Sequence, residues 1–269
     1  MRPEEKATTV DPTARIHPTA IVGRNVTIGA YCVVGEHAVL GDGTVLKAQC
    51  HVGAHSTLGR NNTIYPFACV GGDPQDLQWH GEETCLVMGD RNVIREGVTI
   101  NRGTNKGDGY TRVGNDNLVM ANAHIAHDCT LGDHIVMANN TLLAGHVVVE
   151  DRAIINGAAA VHQFTCVGKL AYVGGLTRIV QDVPPYMIVE GHPSKVRKVN
   201  VVGLQRHGYS EAAMESLKEA HRLLFRSRRP RSEVISELES GGHLSPEVKE
   251  LVEFLRRVER GRHGRSRNV

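Results

Sequence analysis

From Thr111 to Thr177 an aliphatic residue or Met stands at every sixth position without a miss: Val113, Val119, Ile125, Leu131, Met137, Leu143, Val149, Ile155, Val161, Val167 and Val173. Two places earlier the residue is usually small, as at Ala123, Cys129, Thr141, Ala153, Ala159 and Ala171, with Ile135 and Val147 as exceptions. An amphipathic helix repeats near every 3.6 residues and an alternating strand every two, so neither accounts for six. A six-residue repeat predicts a parallel β-helix, in which short strands form the sides of a prism. Three sides make one turn, so residues eighteen apart stack along the axis. Aliphatic side chains then fill the interior and small ones fit where two sides meet.

The same beat begins earlier, at Ile16, Val22, Ile28, Val34, Leu40, Leu46, Val52, Leu58, Ile64 and Val70. Gly follows it at 23, 29, 35, 41, 53, 59 and 71, and is expected to supply corners with positive φ. The beat breaks at 72–84 (GDPQDLQWHGEET) and again at 101–110. Insertions from a solenoid gather on its binding face, so both loops are functional candidates. Met1–Val10 is polar and reads as an arm.

After Thr177 the character changes, and Asp182-Val183-Pro184-Pro185 stops regular winding. The chain divides into a β-helical domain, 1–185, and a connector with a small α-helical domain, 186–269. Residues 186–208 read as a mixed connector. Helical spacing follows over Ser210–Arg226, Ser232–Leu238 and Ser245–Arg257, with Ser210 as a cap and Pro246 in a helix-opening position. The basic tail Arg260–Val269 reads as frayed. Stacked turns leave an open edge at each end, to be covered by the arm and the helices. A convex prism has few pockets of its own, so a buried site needs a second wall and an oligomer is expected.

Composition agrees with a narrow aliphatic interior: four Phe and one Trp stand against 29 Gly in 269 residues. A net charge of +2 gives no case for nucleic acid or an anionic membrane. Six Cys form no C-x-x-C pair, and Cys32, Cys50 and Cys129 fall in the small-residue slot, which reads as buried thiols. No signal peptide and no bilayer-spanning run is legible, so a cytoplasmic location without stable membrane insertion is expected.

Charged and imidazole side chains must point outward from such a prism. Adding eighteen to His127 gives Gly145, to Asp128 gives His146, and to Ala144 gives His162. The register therefore gathers His127, Gly145, His146 and His162 on neighbouring turns. A base titrating near neutral pH beside an unhindered backbone N–H suits acyl transfer to a hydroxyl.

The runs NAHIAHDC, LAGHV, AVHQF, QDVPPY and NVVGLQRHG, with PQDL in the first loop, resemble the UDP-N-acetylglucosamine O-acyltransferase family over nearly the whole chain. The resemblance implies a mainly β protein: a left-handed parallel β-helix of hexapeptide repeats followed by a small α-helical domain, assembled as a homotrimer. It implies transfer of an (R)-3-hydroxyacyl group from acyl carrier protein to the 3-hydroxyl of UDP-N-acetylglucosamine, the first step of lipid A synthesis. It further implies His127 as general base, Asp128 as the group orienting it, and the Gly145 N–H as oxyanion donor. Consecutive residues on a flat strand face opposite ways, so pairing His127 with Asp128 requires a corner. Asp76 is implied to hold the glucosamine part, His124, His146, His162 and Gln163 to line the cleft, and Asn200 and Arg206 to meet the UDP end. Gly175 falls where the family measures acyl length. Two positions depart from the family's pattern: Gln78, where Lys is frequent, and Val202, where a Glu can contact the ribose.

Three other readings stay open at this stage. A hexapeptide-repeat carbonic anhydrase would hold zinc on three of His124, His127, His146 and His162. The sister N-acyltransferase of the same pathway normally carries a separate N-terminal domain, whereas here the repeats begin by residue 16. A purely structural solenoid would need neither His127 nor the loops. The expectation is no metal and no cofactor beyond the carrier's phosphopantetheine arm. Lys195, Arg197 and Lys198 are candidates for docking the acidic carrier.

Overall fold

The computed structural model describes residues 7–242 and 244–267. Short strands, most of two residues, recur every six positions and stack into three sheets of eleven, nine and eight strands. Successive strands go to successive sheets, and within each sheet the winding strands pair in parallel. The chain is a parallel β-helix.

In most of the two-residue strands the first residue faces out and the second faces in. Val119, Ile125, Met137, Leu143 and Ile155 are wholly buried, as are Ala123, Cys129, Ala153 and Ala159 in the small slot. Ile135 and Val147 are equally buried, so that slot admits a larger aliphatic. All six cysteines are free thiols, and Cys32, Cys50 and Cys129 are in the core.

The eighteen-residue step holds through the winding where no loop intervenes, as in Ile125 with Leu143 and Leu143 with Val161, and shortens to sixteen at the last turn, where Val173 pairs with Val189. Across the first loop Ile64 pairs with Ile94, a step of thirty, and across the second Ile94 pairs with Val119, a step of twenty-five. Each loop thus lengthens one turn without disturbing the stack. Both leave the nine-stranded sheet and re-enter the eight-stranded one, after Cys69–Gly72 and Thr99–Asn101 respectively. One turn later the chain makes the same passage from His124–Ile125 to Thr130–Leu131. Both insertions therefore emerge from the corner that carries His127.

The corners are not built as the glycine pattern suggests. Positive φ falls two residues after the expected glycines, on Asn25, Tyr31, His37, Gly43, His55 and Asn61, recurs at Gln49, and continues at every sixth residue from Asp116 to Leu176. Gly23, Gly29, Gly35, Gly41, Gly53 and Gly59 are not among the positive-φ residues. Their requirement is space: a Cβ on Gly41 would lie 2.4 Å from the Gly59 carbonyl oxygen of the next turn. Gly71, with φ +79, alone of that series serves the predicted purpose.

Of the polar arm, residues 1–6 lie outside the described residues, while Thr9–Val10 forms the first strand and pairs with Thr27–Ile28. Residues 186–208 are more ordered than a connector. Met187–Glu190 extends the eleven-stranded sheet, Lys195–Val199 returns antiparallel to it, and helix α1 (Val201–Arg206) follows. Then come α2 (Glu211–His221), continued by a π-helical turn at Arg222–Arg226, α3 (Arg231–Ser240) and α4 (Pro246–Arg260). Ser210 and Ser245 cap α2 and α4 by accepting from Ala213 N–H and Val248 N–H. A second apolar cluster, with Leu217, Ile235, Leu251 and Leu255, packs these helices on Leu170, Tyr186 and Met187. The tail is not frayed over 261–267. It turns back onto the prism through the pairs of Asp182 with Gly264 and Ser266; residues 268–269 lie outside the described residues.

Candidate active site

His127 and Asp128 occupy one corner, and Asp128 itself takes the positive φ of +61 that turns the chain. That turn swings two neighbouring side chains to the same side. His127 Nδ1 lies 2.7 Å from Asp128 Oδ2, with the imidazole 14% and the carboxylate 3% exposed. The second loop holds the carboxylate from behind. Thr104 N–H donates to Oδ1 at 2.8 Å and Thr104 Oγ1–H to Oδ2 at 2.6 Å. Asp128 N–H donates to Thr111 Oγ1 at 2.8 Å. Burial opposes ionisation of Asp128, but the hydrogen bonds from His127 and Thr104 outweigh it and hold the group below the usual carboxylate range. An ionised Asp128 fixes the proton of His127 on Nδ1 and leaves the Nε2 lone pair free.

One turn higher, Gly145 lies against the His127 ring. A Cβ built there would stand 2.7 Å from Cε1 and 2.9 Å from Nε2. Among the described residues the Gly145 N–H donates to no other group. His146, beside it, places Nε2 3.5 Å from Asp128 Oδ2, stacks on Phe164 at 4.5 Å and meets His127 edge-on at 5.4 Å. Burial, reinforced by the charges of His127 and Arg267 against the opposing pull of Asp128, lowers the His146 pKa and favours its neutral form.

Asp76 reaches the site from the first loop and forms an ion pair with Lys106 of the second at 2.6 Å, which lowers its pKa. Together with Gln78, Trp79 and Thr104 they line a recess of about 180 Å³. Lys106 places a cation beside Asp76 although Gln78 is neutral. Arg102 also ties the loops, pairing with Asp73 at 2.7 Å and lying over the Trp79 ring. Thr104 and Lys106 were not singled out by sequence. Only the break in the repeat at 101–110 pointed to their loop.

The other predicted positions do not all meet here. His124 lies on the outer face of the nine-stranded sheet, its Nδ1 2.7 Å from Thr99 Oγ1, and burial followed by the His127 charge lowers its pKa. His162 follows the last-but-one strand of that sheet, with Nδ1 3.1 Å from the Gln163 carbonyl, and exposed Gln163 stands eighteen residues above Gly145 on the same corner. Gly175 is exposed at the opposite edge of that sheet, where the winding enters it from the eleven-stranded one. Between the two edges the surface carries exposed Leu142, with Leu176 at the Gly175 corner. Asn200 is at the third corner and buried. Its Nδ2 donates to Leu170 O at 2.9 Å and its Oδ1 accepts from Gly203 N–H, capping α1. The end of α1, and with it Arg206, lies near Arg152 and His134 of that third corner. Within one chain, therefore, Asn200 and Arg206 are remote from His127.

Three groups could hold a cation together: His127, Asp128 and His146. A three-histidine grouping is not formed among the described residues, since His124 and His162 do not bring a ring nitrogen within 4.8 Å of the other three ligand atoms.

A family profile described as UDP-N-acetylglucosamine O-acyltransferase, domain 2, matches residues 182–263, and bacterial transferase hexapeptide repeats match 110–145. A profile for the GMPPB C-terminal domain matches 5–105. The UDP-N-acetylglucosamine O-acyltransferase structure from Moraxella catarrhalis is 42% identical, covers 91% of this chain and 95% of its own, and superposes with a TM-score of 0.87. The acyltransferase from Francisella novicida is 34% identical over 92% of this chain and 91% of its own, with a TM-score of 0.89. That from Arabidopsis is 36% identical over 97% and 99%, with a TM-score of 0.84.

Proposed function

Since this chain belongs to the UDP-N-acetylglucosamine O-acyltransferase family, we propose that it moves an (R)-3-hydroxyacyl group from the thioester of acyl carrier protein to the 3-hydroxyl of UDP-N-acetylglucosamine, opening lipid A biosynthesis. The observation that carries the reading is the vertical pair of His127 and Gly145, with Asp128 behind the imidazole. His127 Nε2 takes the proton of the sugar hydroxyl as its oxygen attacks the thioester carbon. Asp128 stabilises the imidazolium that forms, and the Gly145 N–H faces the oxyanion of the tetrahedral intermediate. Collapse breaks the C–S bond, and the imidazolium returns its proton to the leaving thiolate. Loss of a single oxyanion donor costs roughly 3 kcal/mol in a well-studied hydrolase. No bound metal or cofactor takes part in this sequence.

Asp76, paired with Lys106, is suited to the amide and hydroxyl groups of the glucosamine. His124, His146, His162 and Gln163 would line the cleft. The apolar surface at Leu142 and Leu176, bounded by Gly175, suits an acyl chain once a second wall covers it. A homotrimer supplies that wall and brings the Asn200–Arg206 corner of one subunit to the His127 corner of the next. Asn200 would then act by fixing the start of α1, leaving Arg206 as the exposed partner for the nucleotide phosphates. Val202, on the same helix, is exposed and offers that nucleotide no charge.

Six free thiols suit a reducing compartment such as the cytoplasm, and among the described residues no helix is long and apolar enough to cross a membrane. The test offers purified protein a series of (R)-3-hydroxyacyl carrier thioesters with UDP-N-acetylglucosamine and identifies products by mass. An O-acylated sugar nucleotide supports the assignment. No acylated sugar with any carrier overturns it.

A further inference from the structure

Beyond Arg260 the chain turns back and lies along the last coils of the prism. Ser266 fastens it there: its N–H and its hydroxyl both donate to Asp182 Oδ2 at 2.7 Å. Asp182 N–H in turn donates to the Gly264 carbonyl at 2.8 Å. This anchorage brings two guanidinium groups to the catalytic corner. Arg267 Nη1 donates to the carbonyl of His146 at 2.6 Å, and His146 adjoins both His127 and Asp128. Arg265 Nη1 donates to Val180 O at 3.1 Å and lies 3.5 Å from His162 Nδ1.

Neither guanidinium forms an ion pair with a carboxylate among the described residues; their partners are carbonyls and an imidazole. Arg265 Nε is buried and lacks any hydrogen-bond partner. Leaving such a donor unsatisfied is costly, and more so on a charged group. Arg265 also borders an open recess of about 480 Å³ with His162, Arg178, Gln181 and His263, to which no acidic side chain contributes. The recess is thus lined by a cleft histidine and by the positive charges of Arg178 and Arg265, while Arg267 borders the neighbouring recess, which it shares with Arg257, Arg260 and Glu150.

We propose that this C-terminal strap is an anion site for a phosphoryl group of a substrate, with Arg265 and Arg267 as its ligands. Two substrates of the reaction proposed above carry such a group: the diphosphate of the sugar nucleotide and the phosphodiester of the carrier's phosphopantetheine arm. The planar fork of a guanidinium matches phosphate oxygens, and a strap fastened by Ser266 presents that fork already oriented. The inference rests on the acyl-transfer reading.

The experiment is steady-state kinetics on full-length R265Q, R267Q and the double variant, each substrate varied at saturating concentration of the other. Thermal melting of each variant verifies the fold. Loss of one charge-assisted contact is expected to raise KM for one substrate about tenfold, with kcat within about twofold of wild type. An effect confined to UDP-N-acetylglucosamine assigns the site to the diphosphate, and one confined to the acyl carrier assigns it to the phosphodiester. S266A, which loosens the strap and keeps both guanidiniums, raises the same KM by a smaller factor. R228Q, a remote exposed arginine, leaves both KM values unchanged. Unchanged KM values for both substrates in the double variant, whether or not kcat falls, overturn the anion site while the acyl-transfer reading stands. A wild-type protein that acylates no sugar overturns that reading instead.

Discussion

Gly145 stands so close above the His127 imidazole that a methyl group in place of its hydrogen would lie 2.7 Å from Cε1. Its φ is not in the left-handed region, so alanine fits the backbone and the conflict is with the ring alone. G145A is therefore expected to fold and to displace the base. A shift on the order of 1 Å in a reacting group costs about a hundredfold in rate. Kinetics and thermal melting of one preparation check this: kcat falls by about that factor and the melting temperature changes little.

The Asp128 carboxylate accepts three hydrogen bonds, one from His127 and two from Thr104. D128N is expected to lower kcat by roughly 10²–10⁴, because an amide facing Nδ1 favours the wrong imidazole tautomer. T104V removes only the hydroxyl donor and is expected to lower kcat by about tenfold, as for one charge-assisted hydrogen bond. T104S restores that donor and should recover most of the rate. Equal activity of T104V and T104S would remove the second loop from the catalytic apparatus.

Acid stability carries its own sign. Burial lowers the pKa values of His124 and His146 from 6.5. Between the folded pKa and 6.5 the unfolded chain binds protons that the folded chain does not, so stability rises with pH across that window. Acidification from pH 7.5 through 6.5 and below should destabilise the wild type progressively. Chemical denaturation at a series of pH values checks this, and H124N/H146N should show a flatter profile over the same window.

At the corners, G41A sets a Cβ 2.4 Å from the Gly59 carbonyl oxygen, which is backbone and cannot swing away. Overpacking of this kind costs about 1–3 kcal/mol. Denaturant unfolding should register a loss of that size, and an unchanged midpoint would show that neighbouring coils separate more easily than their spacing suggests.

Much of the fold and of the site is legible in the sequence. A strict six-residue beat has one physical solution, and the eighteen-residue step then stacked Gly145 over His127 and His146 over Asp128 by arithmetic. What the period does not carry are contacts between neighbouring coils and with residues distant in sequence. The glycines after each aliphatic residue were expected at positive φ, but they are required by the approach of the next coil, while Asn, Asp, His and even Tyr31 and Phe67 take the left-handed corners. The tail looked frayed because arginine and glycine dominate it; its anchor is a side chain some eighty residues earlier, Asp182. Thr104 was invisible for the same reason: a threonine in a loop carries no signal until the register shows which carboxylate it meets.

The central claim is that His127 removes the proton from the acceptor hydroxyl. It is tested most directly by the kcat of H127A against wild type, with UDP-N-acetylglucosamine and the best hydroxyacyl carrier, on protein of matched melting temperature and oligomeric state. A general base contributes about 10²–10⁴-fold, so a fall in that range is predicted. Turnover within a few-fold of wild type would contradict the account.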